Sequence, residues 1–187
     1  MSERLQHFET DPYRDTDGIL RVVREGLCHR CGACVGFCPV GTYGTRAGYP
    51  DPVNECIHCN ICVRVCSGLS VDYPAIGRAL HGPGYAFGGL LGTTRGAWLA
   101  HAADPAIRSR GASGGVVTAI LVHWLKTGFI KGALVTVEDP DEPSMGRGII
   151  ARTPEDVLRA AQSRYTTAPS LAALLEIRDE EIGRAHV

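Results

Sequence analysis

Eight cysteines lie between positions 28 and 66, and the rest of the 187-residue chain has none. They form two copies of the spacing C-x2-C-x2-C-x3-C: CHRCGACVGFCP with Cys28, Cys31, Cys34 and Cys38, and CIHCNICVRVCS with Cys56, Cys59, Cys62 and Cys66. Three thiolates set three residues apart let one loop wrap the face of an iron-sulfur cube while its backbone N–H groups point at the sulfides. The fourth cysteine leaves on the next turn. In the bacterial two-cluster arrangement that fourth cysteine ligates the other cluster. Carried over to this chain, one 4Fe-4S cluster takes Cys28, Cys31, Cys34 and Cys66, and the second takes Cys56, Cys59, Cys62 and Cys38. Structural zinc uses two separated C-x2-C pairs, and a disulfide framework needs an oxidising compartment, so both fit the spacing less well. His29 and His58 sit inside the loops as spacers, because the cysteines already complete both ligand sets. Pro39 follows Cys38 but Ser67 follows Cys66. Serine keeps the N–H and the freedom that proline removes, which points to different hydrogen bonding and a shifted potential at the cluster near Cys66.

A second stretch carries different chemistry. RSRGASGGVVTAI, from Arg108 to Ile120, reads as a helix start preceded by glycines and arginines. Unpaired N–H groups at such a start suit a phosphate. Gly111, Gly114 and Gly115 would let a ligand approach the backbone, and Arg108 and Arg110 could pair with a pyrophosphate. The spacing is neither a dinucleotide fingerprint nor a Walker A loop. A capped, closely packed helix without a ligand is the competing reading. No residue stands out as a general acid, base or nucleophile.

These residues need elements to position them. Residues 1–25 read as a polar lead-in that includes the apolar stretch DTDGILRVVREG, and 26–70 as a small two-cluster ferredoxin-like domain. VGTYGTRAGYPDPVNE supplies a hairpin connection between the motifs. Residues 71–95 form a glycine-dense linker. In 96–181 the pattern predicts a strand at Gly96–Ala102 and a helix over Ser113–Thr127, N-capped by Ser113 and stopped at Gly128. A strand follows at Ala133–Glu138, completing a βαβ unit. A third strand at GIIAR, a helix from Thr153 and another from Ser170 complete the reading. The expected fold class is α+β, a ferredoxin-like domain followed by an incomplete α/β domain.

The balance of 19 Lys+Arg against 20 Asp+Glu offers no basic footprint for nucleic acid. The longest apolar stretch, Val116–Leu125, is interrupted by His123 and falls short of a bilayer span. The N-terminus has no apolar signal region, so the expected location is cytoplasmic.

With the cysteine-rich N-terminus, the run RSRGASGGVVTAILVHWLKTGFIKGALVT and the later AAQSRYTTAP, the sequence resembles the coenzyme F420 hydrogenase/dehydrogenase beta subunit family over residues 26–178. The resemblance implies FAD held by Arg110, Gly111, Ser113, Gly114 and Gly115, with Ser163, Arg164 and Tyr165 lining the same cavity. The flavin would convert single electrons from the clusters into hydride exchange with coenzyme F420 or a related two-electron partner. A redox partner subunit or ferredoxin-type donor would meet the clusters. The resemblance also takes in relatives that are chlorophyll-type reductases or are associated with polysaccharide genes. The rival readings are an electron-transfer module without substrate chemistry and a sugar-nucleotide binder. The family's C-terminal domain is expected to be missing. Residues 182–187 of EEIGRAHV are what a common sequencing adapter encodes, and are expected to be an assembly artefact.

Overall fold

A computed structural model describes residues 18–69, 71–85, 92–178 and 180, so the lead-in up to residue 17 and the segment 182–187 lie outside the described residues. In the helix α1 (Gly18–Arg24), Ile19 and Val22 stand three residues apart on one face and are both buried. The first cysteine loop runs into the short helix α2 (Ala33–Gly36), and the second into α3 (Ile61–Arg64). Between them β1 (Tyr43–Arg46) and β2 (Tyr49–Pro52) pair antiparallel, with Arg46 opposite Tyr49. Ala47 and Gly48 make the turn, both in the left-handed region at φ 49° and 76°. That conformation matches the twist of a two-residue hairpin, as the sequence between the motifs predicts.

The 71–95 stretch holds more order than a linker. Asp72 caps α4 (Tyr73–His81) by accepting from the Ala75 N–H at 2.8 Å, and Pro74 stands in the first turn. Beyond it, Asp104 caps α5 (Pro105–Arg110) by accepting from the Ala106 and Ile107 N–H groups. The long helix α6 (Val116–Lys126) follows, then β3 (Ala133–Glu138), β4 (Gly146–Ala151) and α7 (Pro154–Arg159). Thr153 and Asp156 form a reciprocal capping box at the start of α7, where the sequence predicts a helix.

The structure corrects three expectations. Gly96–Ala102 is not a strand: only Ala102 of that run is buried, and Trp98 is 81% exposed. A strand needs a ladder partner, and β3 pairs with β4 in a two-stranded antiparallel sheet. The predicted parallel βαβ unit is therefore absent among the described residues. The helix expected from Ser113 begins instead at Val116, because Gly114 and Gly115 sit at φ 79° and 74°, outside the α region. Its C-terminal stop holds, with Gly128 at φ 71°. The helix expected from Ser170 is a 3-10 helix, Ser170–Ile177.

Two small cores result. Ile19, Val22, Cys34, Val35 and Tyr43 form the first, and Val122, Ala151 and Val157 form the second. The 3-10 helix joins them. Ala172 packs on the first core, while Ser170 Oγ stands 2.7 Å from Thr136 Oγ1 on β3.

Candidate functional site: two thiol quartets and an open cavity

The two cysteine loops repeat one backbone device. Two and four residues after the first cysteine of each motif the chain turns left-handed, at Arg30 and Gly32 in the first and at His58 and Asn60 in the second. Left-handed residues alternating with ordinary ones curl a loop so that successive N–H groups face its hollow. The Arg30 N–H donates to Cys28 Sγ at 3.4 Å and the His58 N–H to Cys56 Sγ at 3.3 Å. The duplication seen in the spacing is thus also a duplication of conformation.

Cys28, Cys31, Cys34 and Cys66 line one cavity, and Cys38, Cys56, Cys59 and Cys62 line another. In each, three thiols come from one motif and the fourth from the other. The thiols surround a hollow instead of meeting at a point: among the described residues no group of three or more His, Cys, Asp or Glu could hold a single metal ion. This chemistry fits a cubane better than a lone cation, since thiolates are the ligands iron-sulfur clusters take.

Burial separates the thiols electrostatically. Burial pushes Cys34 up to about 12, helped by the neighbouring Cys28, Cys31, Cys62 and Cys66. Burial likewise raises Cys62 to about 11 against an opposing hydrogen bond from the Val63 N–H. At Cys38 burial again acts to raise the value, but hydrogen bonds from the Thr42 side chain and from the Thr42, Val40 and Gly41 N–H groups outweigh it, and the thiol falls below its ordinary value. The Thr42 N–H lies 3.2 Å from that sulfur. Sequence reasoning missed Thr42, which stands four residues after Cys38.

These values predict how the iron-free fold responds to pH. Cys34 and Cys62 keep their protons above the 9.0 of an ordinary thiol, so the unfolded chain ionises first as pH rises. The stabilisation is fully present below pH 9 and is lost as pH climbs through 11 to 12. Cluster assembly takes both protons away, so the loaded protein is expected to escape the decline. Urea midpoints taken with and without clusters, below and above pH 9, check this.

Ser67, the departure from proline, brings its hydroxyl to 3.5 Å from His29 Nδ1. It thereby links the two loops at the rim of the first cavity, which both residues line.

A third, larger cavity of about 570 Å3 lies between the start of α6 and the segment after α7. That volume is within the range of small-molecule sites. Gly111, Ser113 and Gly115 line it from one side, and Ser163 and Arg164 from the other. Five of the eight residues expected at a flavin site are thus brought together. Arg110, Gly114 and Tyr165 are not among its lining residues: Tyr165 is 95% exposed, and the Gly114 carbonyl accepts from the Ala102 N–H at 2.7 Å. Gly115 is required by its own chain. Its φ is 74°, and a Cβ there would stand 2.9 Å from the Ile107 carbonyl oxygen. The N-cap of α6 makes no side-chain hydrogen bond, and Val116, Val117 and Thr118 of its first turn line the cavity. Leu121, Leu134 and Val157 give it an apolar wall. A polar end formed by the start of a helix and an arginine, joined to an apolar wall, suits a ligand that is part phosphate and part ring. Thr136, Gln162, Thr166 and Ala168 also line the cavity; they fall inside the two runs that carry the resemblance but were not among the residues expected at the site.

The duplicated thiol loops define a chain of the 4Fe-4S-binding class, and the comparisons agree. Residues 21–43 and 54–72 each match the model of a 4Fe-4S binding domain. Residues 97–175 match the model described as coenzyme F420 hydrogenase/dehydrogenase, beta subunit N-terminus, and over that stretch the chain is similar to that family. It is 35% identical over 77 residues to the coenzyme F420 hydrogenase subunit beta of Methanosarcina barkeri, a match covering 41% of this chain and 26% of that one. Against the coenzyme F420-dependent sulfite reductase of Methanocaldococcus jannaschii it is 30% identical over 149 residues, covering 77% of this chain and 20% of that one. Among solved structures it is similar to a chain of the F420-reducing [NiFe] hydrogenase complex of Methanosarcina barkeri, at 33% identity and a TM-score of 0.39, covering 42% of this chain and 27% of that one. The chain spans between a fifth and a little over a quarter of the length of these relatives. Among the described residues, no helix is long and apolar enough to cross a membrane.

Proposed function

We propose that this chain is the electron-input segment of an iron-sulfur flavoprotein. In this reading Cys28, Cys31, Cys34 and Cys66 hold one 4Fe-4S cluster, and Cys38, Cys56, Cys59 and Cys62 hold the other. FAD occupies the 570 Å3 cavity and exchanges hydride with coenzyme F420 or a related two-electron partner. A bound flavin supplies the conversion between one-electron and two-electron transfer. The chain's own residues bind and orient it. The first-turn N–H groups of α6 and the Arg164 guanidinium meet the diphosphate, and Leu121, Leu134 and Val157 take the ring. The electron donor is a redox partner subunit or a ferredoxin-type protein, and the setting is the cytoplasm. The relatives named for F420 support the choice of partner.

The observation that carries the reading is the convergence of Gly111, Ser113 and Gly115 with Ser163 and Arg164 on one cavity, in a chain whose other half gathers two thiol quartets. Anaerobic reconstitution with iron and sulfide in the presence of FAD tests it. Flavin absorption bands retained after gel filtration, on top of the broad cluster absorbance, are the expected result. Clusters without retained flavin would leave an electron-transfer module with no substrate chemistry of its own.

A further inference from the structure

The segment 166–169 connects the large cavity to the residues that line the first thiol cavity. Thr166 and Ala168 line the large cavity, while their neighbours Thr167 and Pro169 reach the other way. A Cβ added at Gly48 would lie 3.5 Å from Thr167 Cγ2, and one added at Gly32 would lie 2.7 Å from the Pro169 carbonyl oxygen. Gly32 and Gly48 both line the cavity of Cys28, Cys31, Cys34 and Cys66. The next residues close the joint: the Leu171 N–H donates to the Cys31 carbonyl at 3.0 Å, and the Thr167 carbonyl accepts from the Gly146 N–H at 2.9 Å. The segment 166–169 thus lines the large cavity with Thr166 and Ala168 and packs, through Thr167 and the Pro169 carbonyl, on two glycines of the first thiol cavity.

The second thiol cavity is lined by Gly18, by Cys38, Pro39, Val40, Thr42 and Tyr43, and by the second motif. The later chain meets that lining through Arg178, which donates to the Cys38 and Pro39 carbonyls at 3.2 and 2.9 Å and stands nine residues past the segment 166–169. Its outer face is open: Cys59 and His58 are exposed and Ile57 is 57% exposed. Tyr43 packs in the core that also contains Cys34 and touches Cys62 and Cys66, so it lies between the quartets.

We infer that the two clusters are ordered, with the Cys28/Cys31/Cys34/Cys66 cluster as the one that exchanges electrons with the ligand of the large cavity across residues 166–169. The Cys38/Cys56/Cys59/Cys62 cluster is the outer one, which meets the one-electron donor. This deepens the proposed function and rests on it for the ligand's identity. The balance is simple. Each passage oxidises the inner cluster by one electron, and the outer cluster refills it from the donor. Two passages with two protons from solvent take oxidised flavin to its dihydro form.

The geometric half can be tested without flavin. Trifluoromethylphenylalanine is incorporated in place of Ala161 on the cavity wall, and its fluorine relaxation is measured in dithionite-reduced full chain carrying Cys31→Ala or Cys59→Ala. Strong relaxation enhancement is expected when the inner cluster alone remains (C59A), with at least a tenfold weaker effect when the outer alone remains (C31A). Equal enhancement, or the reverse order, overturns the inference. Cys31→Ser and Cys59→Ser keep an oxygen ligand and mark each cluster's spectrum. They give the same readout by stepwise reduction should an alanine variant lose both clusters: the label must respond when the C31S-marked cluster is reduced, and a response to the C59S-marked one refutes the order. With FAD added, photoreduction of the clusters by the flavin is expected to slow at least tenfold in C31A and to stay within twofold in C59A. Failure of FAD to bind any form counts against the functional reading, while the fluorine relaxation still decides the order.

Discussion

Replacing Cys66 by alanine is expected to abolish the same cluster as replacing Cys28, Cys31 or Cys34, although Cys66 belongs to the second motif. The reason is spatial: Cys66 lines the first cavity with those three thiols, and burial together with the charges of Cys31 and Cys28 pushes its thiol above the ordinary value. A cubane with three thiolates left has an iron site open to water and is labile, so the variant should hold about half of the iron and sulfide of the parent. The reduced C66A protein should show one electron paramagnetic resonance signal, the same one that C31A shows. C38A should share its signal with C56A instead. A C66A spectrum that matched C56A would refute the exchange of fourth ligands.

The second large effect concerns a residue with no chemistry. Gly36 sits in α2, two residues after Cys34, and a Cβ placed on it would collide with the Leu171 carbonyl oxygen. A carbonyl cannot rotate aside as a side-chain tip can, so the 3-10 helix Ser170–Ile177 must leave α2 as a unit. Gly36→Ala is therefore expected to cost at least about 1–3 kcal/mol, the usual range for overpacking, and to expose the segment around 166–178 to protease. Gly84, whose added Cβ would meet nothing within 4 Å, serves as the control and should tolerate alanine within about 0.5 kcal/mol. Equal melting temperatures for G36A and G84A would show that the segment does not bind α2 as described.

The sequence made some of this legible and hid the rest for physical reasons. The thiol loops could be read because ligand spacing is local, and the hairpin between them because the connecting stretch is rich in Gly, Pro and Tyr. Thr153 announced α7 for the same local reason. The run GAWLAHA misled because apolar content marks a strand only when a neighbouring strand exists to pair with it, and none does here among the described residues. Ser113 misled because its hydroxyl suits a cap, whereas the two left-handed glycines after it postpone the helix to Val116. The segment 166–178 was the least readable. Its partners, Cys31, Gly36 and Cys38, lie far earlier in the chain, and contacts of that span leave no periodicity behind.

Coupling between the thiol quartets and the large cavity is what turns two binding sites into one redox path. Reduced coenzyme F420 is mixed anaerobically with the cluster-loaded full chain, with and without FAD, and cluster reduction is followed by electron paramagnetic resonance. The account predicts that cluster signals grow when FAD is bound and stay absent without it. Clusters that remain oxidised with FAD bound, or that are reduced equally well without it, would contradict the account.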